Sequence, residues 1–263
     1  LQPAGGGDAR PVKPWRSVLL KRGDRLAIGA VEDGSVAYLA IEGGFAIAPF
    51  MGSFSTYMRS GLGGFQGRAL QAGDRLPLNK VAQEGDEREL ADVIDYGSGP
   101  VRVVLGPQED RFTEKGIQTF LSATYTVTKE ADRMGIRLDG EVIEHTRGAD
   151  IASEGVVSGS IQVPGNGKPI ILMADRQTTG GYTKIATVIS ADLPRVGRMK
   201  PGDTLTFTAI SVAEAEMIRR EQEKMLKRLA DGIRTALPDV YLDLNALYTQ
   251  NLISGMVDAC SGE

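Results

Sequence analysis

Glycine and proline punctuate this 263-residue chain: 33 glycines and 12 prolines cut it, as far as Phe207, into short segments that read as β-strands joined by turns. Residues 36–41, 101–105, 160–163 and 204–208 are rich in β-branched and aromatic residues or alternate polar with apolar, as strands do. Gly106-Pro107 closes one strand. Glu109 and Asp110 then open a helix to about Leu121, with Phe112, Gly116, Ile117 and Phe120 on one face. The fold class expected is mainly β with some α, of the barrel or sandwich type.

After Phe207 the pattern changes. Residues 213–236 contain no proline and one glycine, and Ile218, Gln222, Leu226, Leu229 and Ile233 recur at spacings of three or four. This is a C-terminal amphipathic helix. Glutamates interleave with Arg219, Arg220, Lys224, Lys227 and Arg228, so its charged face is expected to be solvated rather than bound to a membrane. Pro238 stops it, and residues 239–263 follow as a tail.

A weak internal repeat bears on the number of units. Arg22-Gly-Asp-Arg-Leu26, Ala72-Gly-Asp-Arg-Leu76 and Pro201-Gly-Asp-Thr-Leu205 each set a Gly-Asp turn before an apolar strand. The strand running into Gly43-Gly44-Phe45 is echoed by the one running towards Gly180-Gly181-Tyr182. Two related β units, joined through the polar stretch 79–99, account for both most economically: residues 1–98, residues 99–210, then residues 211–263 as helix and tail.

Composition excludes several functions. The chain is 41% hydrophobic and 24% charged, enough for a sizeable core. Its net charge of -4 supplies no basic field, so no nucleic-acid partner is expected. No apolar run approaches the roughly 20 residues of a spanning helix, and no signal-peptide pattern opens the chain, so no membrane partner and a cytoplasmic location are expected. One cysteine, Cys260, and one histidine, His145, make no metal-ligand set, and no metal is expected. His145, in a polar context and without a Gly-x-Ser-x-Gly elbow anywhere, reads as a surface histidine rather than a general base.

The densest chemistry lies at residues 173–189. Asp175, Arg176, Gln177, Thr178, Thr179, Gly180 and Gly181 have no hydrophobic purpose, yet their flanks, 170–173 and 185–189, read as buried strands. Gly180-Gly181 permits positive φ or a close backbone approach. The reading is a glycine-hinged hairpin whose tip presents an acid, bases and an amide to a ligand.

Gly43-Gly-Phe45, Met51-Gly-Ser-Phe-Ser-Thr-Tyr57, Gly61-Leu-Gly-Gly-Phe-Gln-Gly-Arg-Ala-Leu70, Gly106-Pro-Gln-Glu-Asp110, Ala131-Asp-Arg-Met-Gly-Ile-Arg-Leu138, Ser153-Glu-Gly-Val-Val157, Ile161-Gln-Val-Pro-Gly165 and the 173–189 run together resemble the allophanate hydrolase subunit 2 family. That family includes the C subunit of bacterial 5-oxoprolinase, the antikinase antagonist KipA and the carboxyltransferase region of urea carboxylase. The resemblance runs from about Trp15 to Phe207. It implies tandem cyclophilin-like β-barrels, the first N-terminally incomplete here. Thr183 stands where the family commonly has proline, which implies a freer backbone at that point.

The resemblance implies a subunit of an ATP-dependent 5-oxoprolinase-type enzyme that opens 5-oxo-L-proline to L-glutamate. Its implied partners are a companion cyclophilin-like subunit, similar to KipI or to the B subunit of 5-oxoprolinase, a LamB-type component corresponding to the A subunit, and a small lactam or amide substrate. The ATP is used by the complex rather than clearly bound by this chain. The alternatives are a carboxyltransferase component of a biotin-dependent urea or amide carboxylase, with biotin on a partner, and a KipA-like regulatory binding protein. A planar amide needs donors and acceptors at fixed separation. Asp175, Arg176, Gln177 and Lys184 are the candidate catalytic residues: Asp175 accepts from N–H, Arg176 and Lys184 stabilise developing negative charge, and Gln177 does both. Thr178, Thr179, Gly180, Gly181, Tyr182, Gln162, Glu154 and Arg133 are the candidate substrate-binding set. Arg133 and Glu154 could equally form an interdomain ion pair, and Gln162 could point to the cleft or to solvent. Gln108, Glu109 and Asp110 fit helix capping at least as well as chemistry, while Tyr57, Arg59 and Arg68 lie in the first unit's glycine-rich loop.

Overall fold

The computed structural model describes residues 1–81, 85–92 and 94–236; Cys260, Pro238 and the tail expected after it lie outside these. The first unit contributes short strands. β1 (Thr56–Tyr57) pairs antiparallel with β2 (Leu62–Gly63), and β3 (Arg88–Leu90) follows. Residues 36–41, expected as a strand, form none, and Tyr38 is 89% exposed. Apolar content alone makes no strand where no neighbouring ladder pairs with it.

The second unit holds the core. Its elements are β4 (Val101–Leu105), α1 (Glu114–Ser122), β5 (Tyr125–Val127), β6 (Gly135–Asp139), β7 (Asp150–Gly155), β8 (Ser160–Gln162), β9 (Ile170–Leu172), β10 (Thr179–Tyr182), β11 (Lys184–Val188), α2 (Leu193–Val196), β12 (Thr204–Leu205) and β13 (Phe207–Ala209). Eight of the strands form one sheet in the order β12-β5-β6-β9-β8-β11-β4-β13. All of its pairs are antiparallel except β13 with β4. The two edge strands, β12 and β13, are separated by Thr206 alone. One residue spans only about 3.5 Å, so the strand at one edge runs on into the strand at the other, which brings the two edges together and curls the sheet into a nearly closed barrel.

Among the described residues, every buried core hydrophobic lies between Val101 and Phe207. Phe120 of α1 stacks on Phe207 at 4.5 Å between ring centroids and is wholly buried, which stabilises by about 1.5–3 kcal/mol. The helix expected from Glu109 starts later. Glu109–Arg111 is a single 3-10 turn, Phe112 is extended, and the Thr113 hydroxyl accepts from Gly116 N–H as the cap of α1.

The Gly-Asp repeat is structural. In all three copies glycine has a left-handed φ, +91° at Gly23, +92° at Gly73 and +95° at Gly202. In each, the aspartate N–H donates to the carbonyl three residues back and its carboxylate accepts from that same residue's N–H, at Lys21, Gln71 and Lys200. The Gly-Gly echo does not hold: Gly43 and Gly44 have positive φ, whereas Gly180 and Gly181 do not.

The terminal helix, α3 (Val212–Asp231), opens with the Ser211/Glu214 capping box. It ends at Asp231, short of the expected stretch, because β14 (Ile233–Thr235) pairs antiparallel with β3 and returns the chain to the first unit. Its half-buried stripe runs through Ala215, Ile218, Gln222, Met225 and Leu229, so Met225 rather than Leu226 faces inward. The charged face carries the pairs Arg219–Glu223 and Arg220–Glu216, as expected of a solvated face. Among the described residues no helix is long and apolar enough to cross a membrane.

Candidate functional site

The strands flanking the polar loop form as the sequence indicates, but they do not form a hairpin. β8 lies between them, paired with β9 on one side and β11 on the other. The loop therefore leaves the barrel on one side of β8 and re-enters on the other, and within it β10 pairs with β7, setting Gly180 opposite Glu154. On β11 and β8, Lys184 is opposite Gln162, just where the register slips. Such a bulge re-aims side chains. The two ladders bring Glu154, Gln162 and Lys184 together.

These residues form one polar cluster. Lys184 Nζ lies 2.7 Å from Glu154 Oε1, and Gln108 Nε2 donates to the same oxygen at 2.6 Å. Gln108 Oε1 in turn accepts from Lys184 N–H at 3.1 Å. Gln177 Nε2 donates to Gln162 Oε1 at 3.3 Å. The Lys184 side chain is 3% exposed, Gln162 2%. Lys184 and then Gln108 hold the Glu154 carboxyl below the usual glutamate range, so it is ionised at neutral pH. Lys184 Nζ is thus paired with the Glu154 carboxylate, whereas the buried Gln162 Nε2 beside it has no acceptor. One buried amide donor of the cluster thus lacks an acceptor, a feature uncommon in native interiors.

Gly180 is required here by space rather than by φ. A Cβ at this position would sit 2.3 Å from Gln162 Nε2. Of the two roles open to the Gly-Gly pair, close approach is the one realised.

Asp175 and Arg176 are committed elsewhere. Asp175 is gripped by Arg133 through Nε at 2.7 Å and Nη2 at 2.9 Å. Arg176 anchors the loop to Val156 O at 3.3 Å and Ser158 Oγ at 2.9 Å. A largely apolar cavity of about 250 Å³ opens beside Asp175, against Phe50, Thr56, Tyr57 and Leu62 of the first unit. Arg59 reaches the same neighbourhood through Asp132 at 3.4 Å, whereas Arg68 turns back onto Asp74. None of Glu154, Gln162 and Lys184 lines this cavity. Thr178, Thr179 and Tyr182 are exposed, with Tyr182 at 42%. Glu109 and Asp110 remain in their 3-10 turn.

Three residues differ from their sequence reading. Gln108, read as fitting helix capping at least as well as chemistry, makes no side-chain cap and is the hub between Glu154 and Lys184. Its signal is faint: a polar residue just past a strand end. His145 is half-buried rather than on the surface. Burial lowers its pKa, against an opposing hydrogen bond to Val163. Thr183, far from loosening the backbone, is wholly buried and donates its N–H to Ala149 O at 2.9 Å, a bond proline cannot make. Among the described residues no His, Cys, Asp and Glu group has the makings of a metal site.

Comparison with known proteins places the chain in a family. The chain is 36% identical over 216 residues to the 5-oxoprolinase C subunit of Escherichia coli, covering 82% of this chain and 69% of that protein. It is 35% identical over 226 residues to the 5-oxoprolinase C subunit of Haemophilus influenzae, covering 84% and 71%. The crystal structure of Kluyveromyces lactis urea carboxylase superposes with a TM-score of 0.71 at 28% identity, covering 83% of this chain but only 22% of that much longer one. Residues 6–209 match the family model for the carboxyltransferase domain, subdomain A and B, and the chain belongs to that family.

Proposed function

We propose that the chain is the C-type subunit of an ATP-dependent 5-oxoprolinase. The observation that carries this is a pair of buried donors on facing residues of β11 and β8, Lys184 Nζ, which Glu154 neutralises, and Gln162 Nε2, which has no acceptor. A lactam carbonyl offers one oxygen that gains negative charge as water adds to its carbon, and two fixed donors in a dry site stabilise that charge. Ionised Glu154 accepts from the ring N–H, and Gln108 keeps its carboxylate in place. Gln177 fixes the Gln162 amide, so that its N–H rather than its oxygen faces the substrate. Arg133, Asp175 and Arg176 hold the loop, and Thr178, Thr179, Gly181 and Tyr182 form its outer wall.

Hydrolysis breaks the ring C–N bond, adds the water's hydroxyl to the carbonyl carbon and delivers its proton to the departing nitrogen. ATP drives the step in the complex. The cluster has a single cation and no glycine-rich phosphate cradle, so its residues do not fit ATP, and we assign the nucleotide to a partner subunit. The partners proposed are a companion cyclophilin-like subunit, together with a LamB-type one. Residues 1–98 and 99–210 are proposed as the two β units and residues 211–263 as a C-terminal appendage, in a cytoplasmic protein.

The likeness to urea carboxylase favours a second reading on the same atoms, transfer of a carboxyl group to a urea-like amide with biotin on another chain. Its planar ureido carbonyl suits the same donors. ATP-dependent 5-oxoproline hydrolysis by the reconstituted subunits decides. Lys184→Ala and Gln162→Ala should each lower kcat by about 10²–10³. Wild-type turnover in both variants overturns the site, and biotin-dependent carboxylation of urea without 5-oxoproline hydrolysis selects the second reading.

A further inference from the structure

His145 takes no part in the chemistry above, yet it lies against it. Its Nε2 is 3.1 Å from Val163 O and 3.0 Å from Thr183 Oγ1. Val163 follows Gln162 and Thr183 precedes Lys184, so one ring nitrogen bridges the two strands immediately beside the two donors. A carbonyl oxygen only accepts, so Nε2 carries the proton and donates to it, sharing that hydrogen with the hydroxyl oxygen. The Thr183 hydroxyl then points its own proton at Val163 O, 3.4 Å away.

The imidazole is itself fixed. It packs on the Phe112 ring at 4.6 Å between centroids, and His145 and Phe112 form an antiparallel bridge. Thr113 N–H to Glu144 O at 3.1 Å and Thr146 N–H to Arg111 O at 2.8 Å close that bridge on both sides. Phe112 ends the turn that begins after Gln108, so the support joins both ends of the cluster. The backbone bond from Val163 N–H to Thr183 O, 3.0 Å, is the last rung before the register slip at Lys184. A slip frees the strands to shift locally, and the histidine spans that place.

We propose that His145 is a positioning residue, which through Thr183 and Val163 fixes the separation of the Gln162 and Lys184 donors. The role assigned to those donors rests on the proposed function; the clamp itself does not. His145→Phe keeps the ring stack and deletes the donor, and Thr183→Val keeps the shape and deletes the hydroxyl. On the full chain, hydrogen exchange at the Val163 and Thr183 amides should accelerate on the order of tenfold in each, with β6 and β9 amides unchanged. The double variant should be no faster than the stronger single. In the reconstituted enzyme kcat should fall on the order of tenfold with KM nearly unchanged, and His145→Gln, which restores an N–H, should recover part of it. Wild-type exchange at the two amides, or uniform acceleration across the barrel, overturns the clamp. If Lys184→Ala turns over normally while the two amides loosen, the donor chemistry fails and the clamp stands.

Discussion

The Tyr125 hydroxyl and the Gln162 amide nitrogen are both buried without a partner among the described residues, and their surroundings are built differently. The Tyr125 ring packs against Phe120, Phe207 and the backbone at Gly140, its buried hydroxyl has no partner, and burial first, then the Glu141 charge, raises its pKa to about 12. Around Lys184 and Gln162 the neighbours are Glu154, Gln108 and Gln177, themselves polar and partly open to solvent. The first is an orphan in an apolar shell, where a phenyl ring would serve as well. The second sits in a polar shell with a way out, where the proposed substrate carbonyl supplies the missing acceptor. An unsatisfied atom by itself therefore says little about function, and the chemistry of its surroundings says more.

The largest effect should come from Lys184→Met. Turnover of the reconstituted enzyme is expected to fall about 10²–10³-fold, with a melting temperature held or raised, because an apolar chain of similar length replaces a desolvated charge whose counter-ion is half exposed. A matching loss of stability would erase the contrast with Tyr125. Next is Gly180→Ala, whose Cβ must displace the Gln162 amide. It should destabilise by about 1–3 kcal/mol in denaturant unfolding and cut turnover on the order of tenfold. Unaltered activity would mean that the Gln162 amide has no fixed position to lose.

Tyr125→Phe should leave turnover unchanged and stabilise by about 1 kcal/mol, since it removes a buried hydroxyl that has no partner. A drop in activity would show the two orphan sites to be coupled. The smallest effect concerns Asp74, which Arg68 and then the Gln71 N–H hold at a pKa of about 2 against an ordinary 3.8. A depressed carboxylate stabilises above its unfolded pKa and loses that contribution as pH falls from about 3.8 to about 2. Asp74→Asn should flatten the stability profile in that window alone; Lys184→Met should leave the window intact.

Much of this was legible. The three Gly-Asp turns depend on contacts within a few residues, and short-range stereochemistry fixed them, while the strands on either side of the loop showed in their apolar, β-branched runs. The loop's importance was legible from its polarity, but its shape was not. A hairpin was expected, and the insertion of β8 between β9 and β11 turned the loop into a crossover. That topology replaced Asp175 and Arg176 with Gln162, Glu154 and Gln108 as the partners of Lys184.

The order of residues along the chain was enough to set the turns, the caps, the β character and the polarity of the loop, because each follows from dihedral preferences and hydrogen bonds between near neighbours. Which amide meets which ammonium, why Gly180 must lack a side chain and where the single histidine lies were settled by packing in three dimensions. Those outcomes join residues far apart in the chain, such as Gln108 with Lys184 and His145 with Thr183. Such pairings follow from strand order and register, which closure of the barrel imposes on all its strands together.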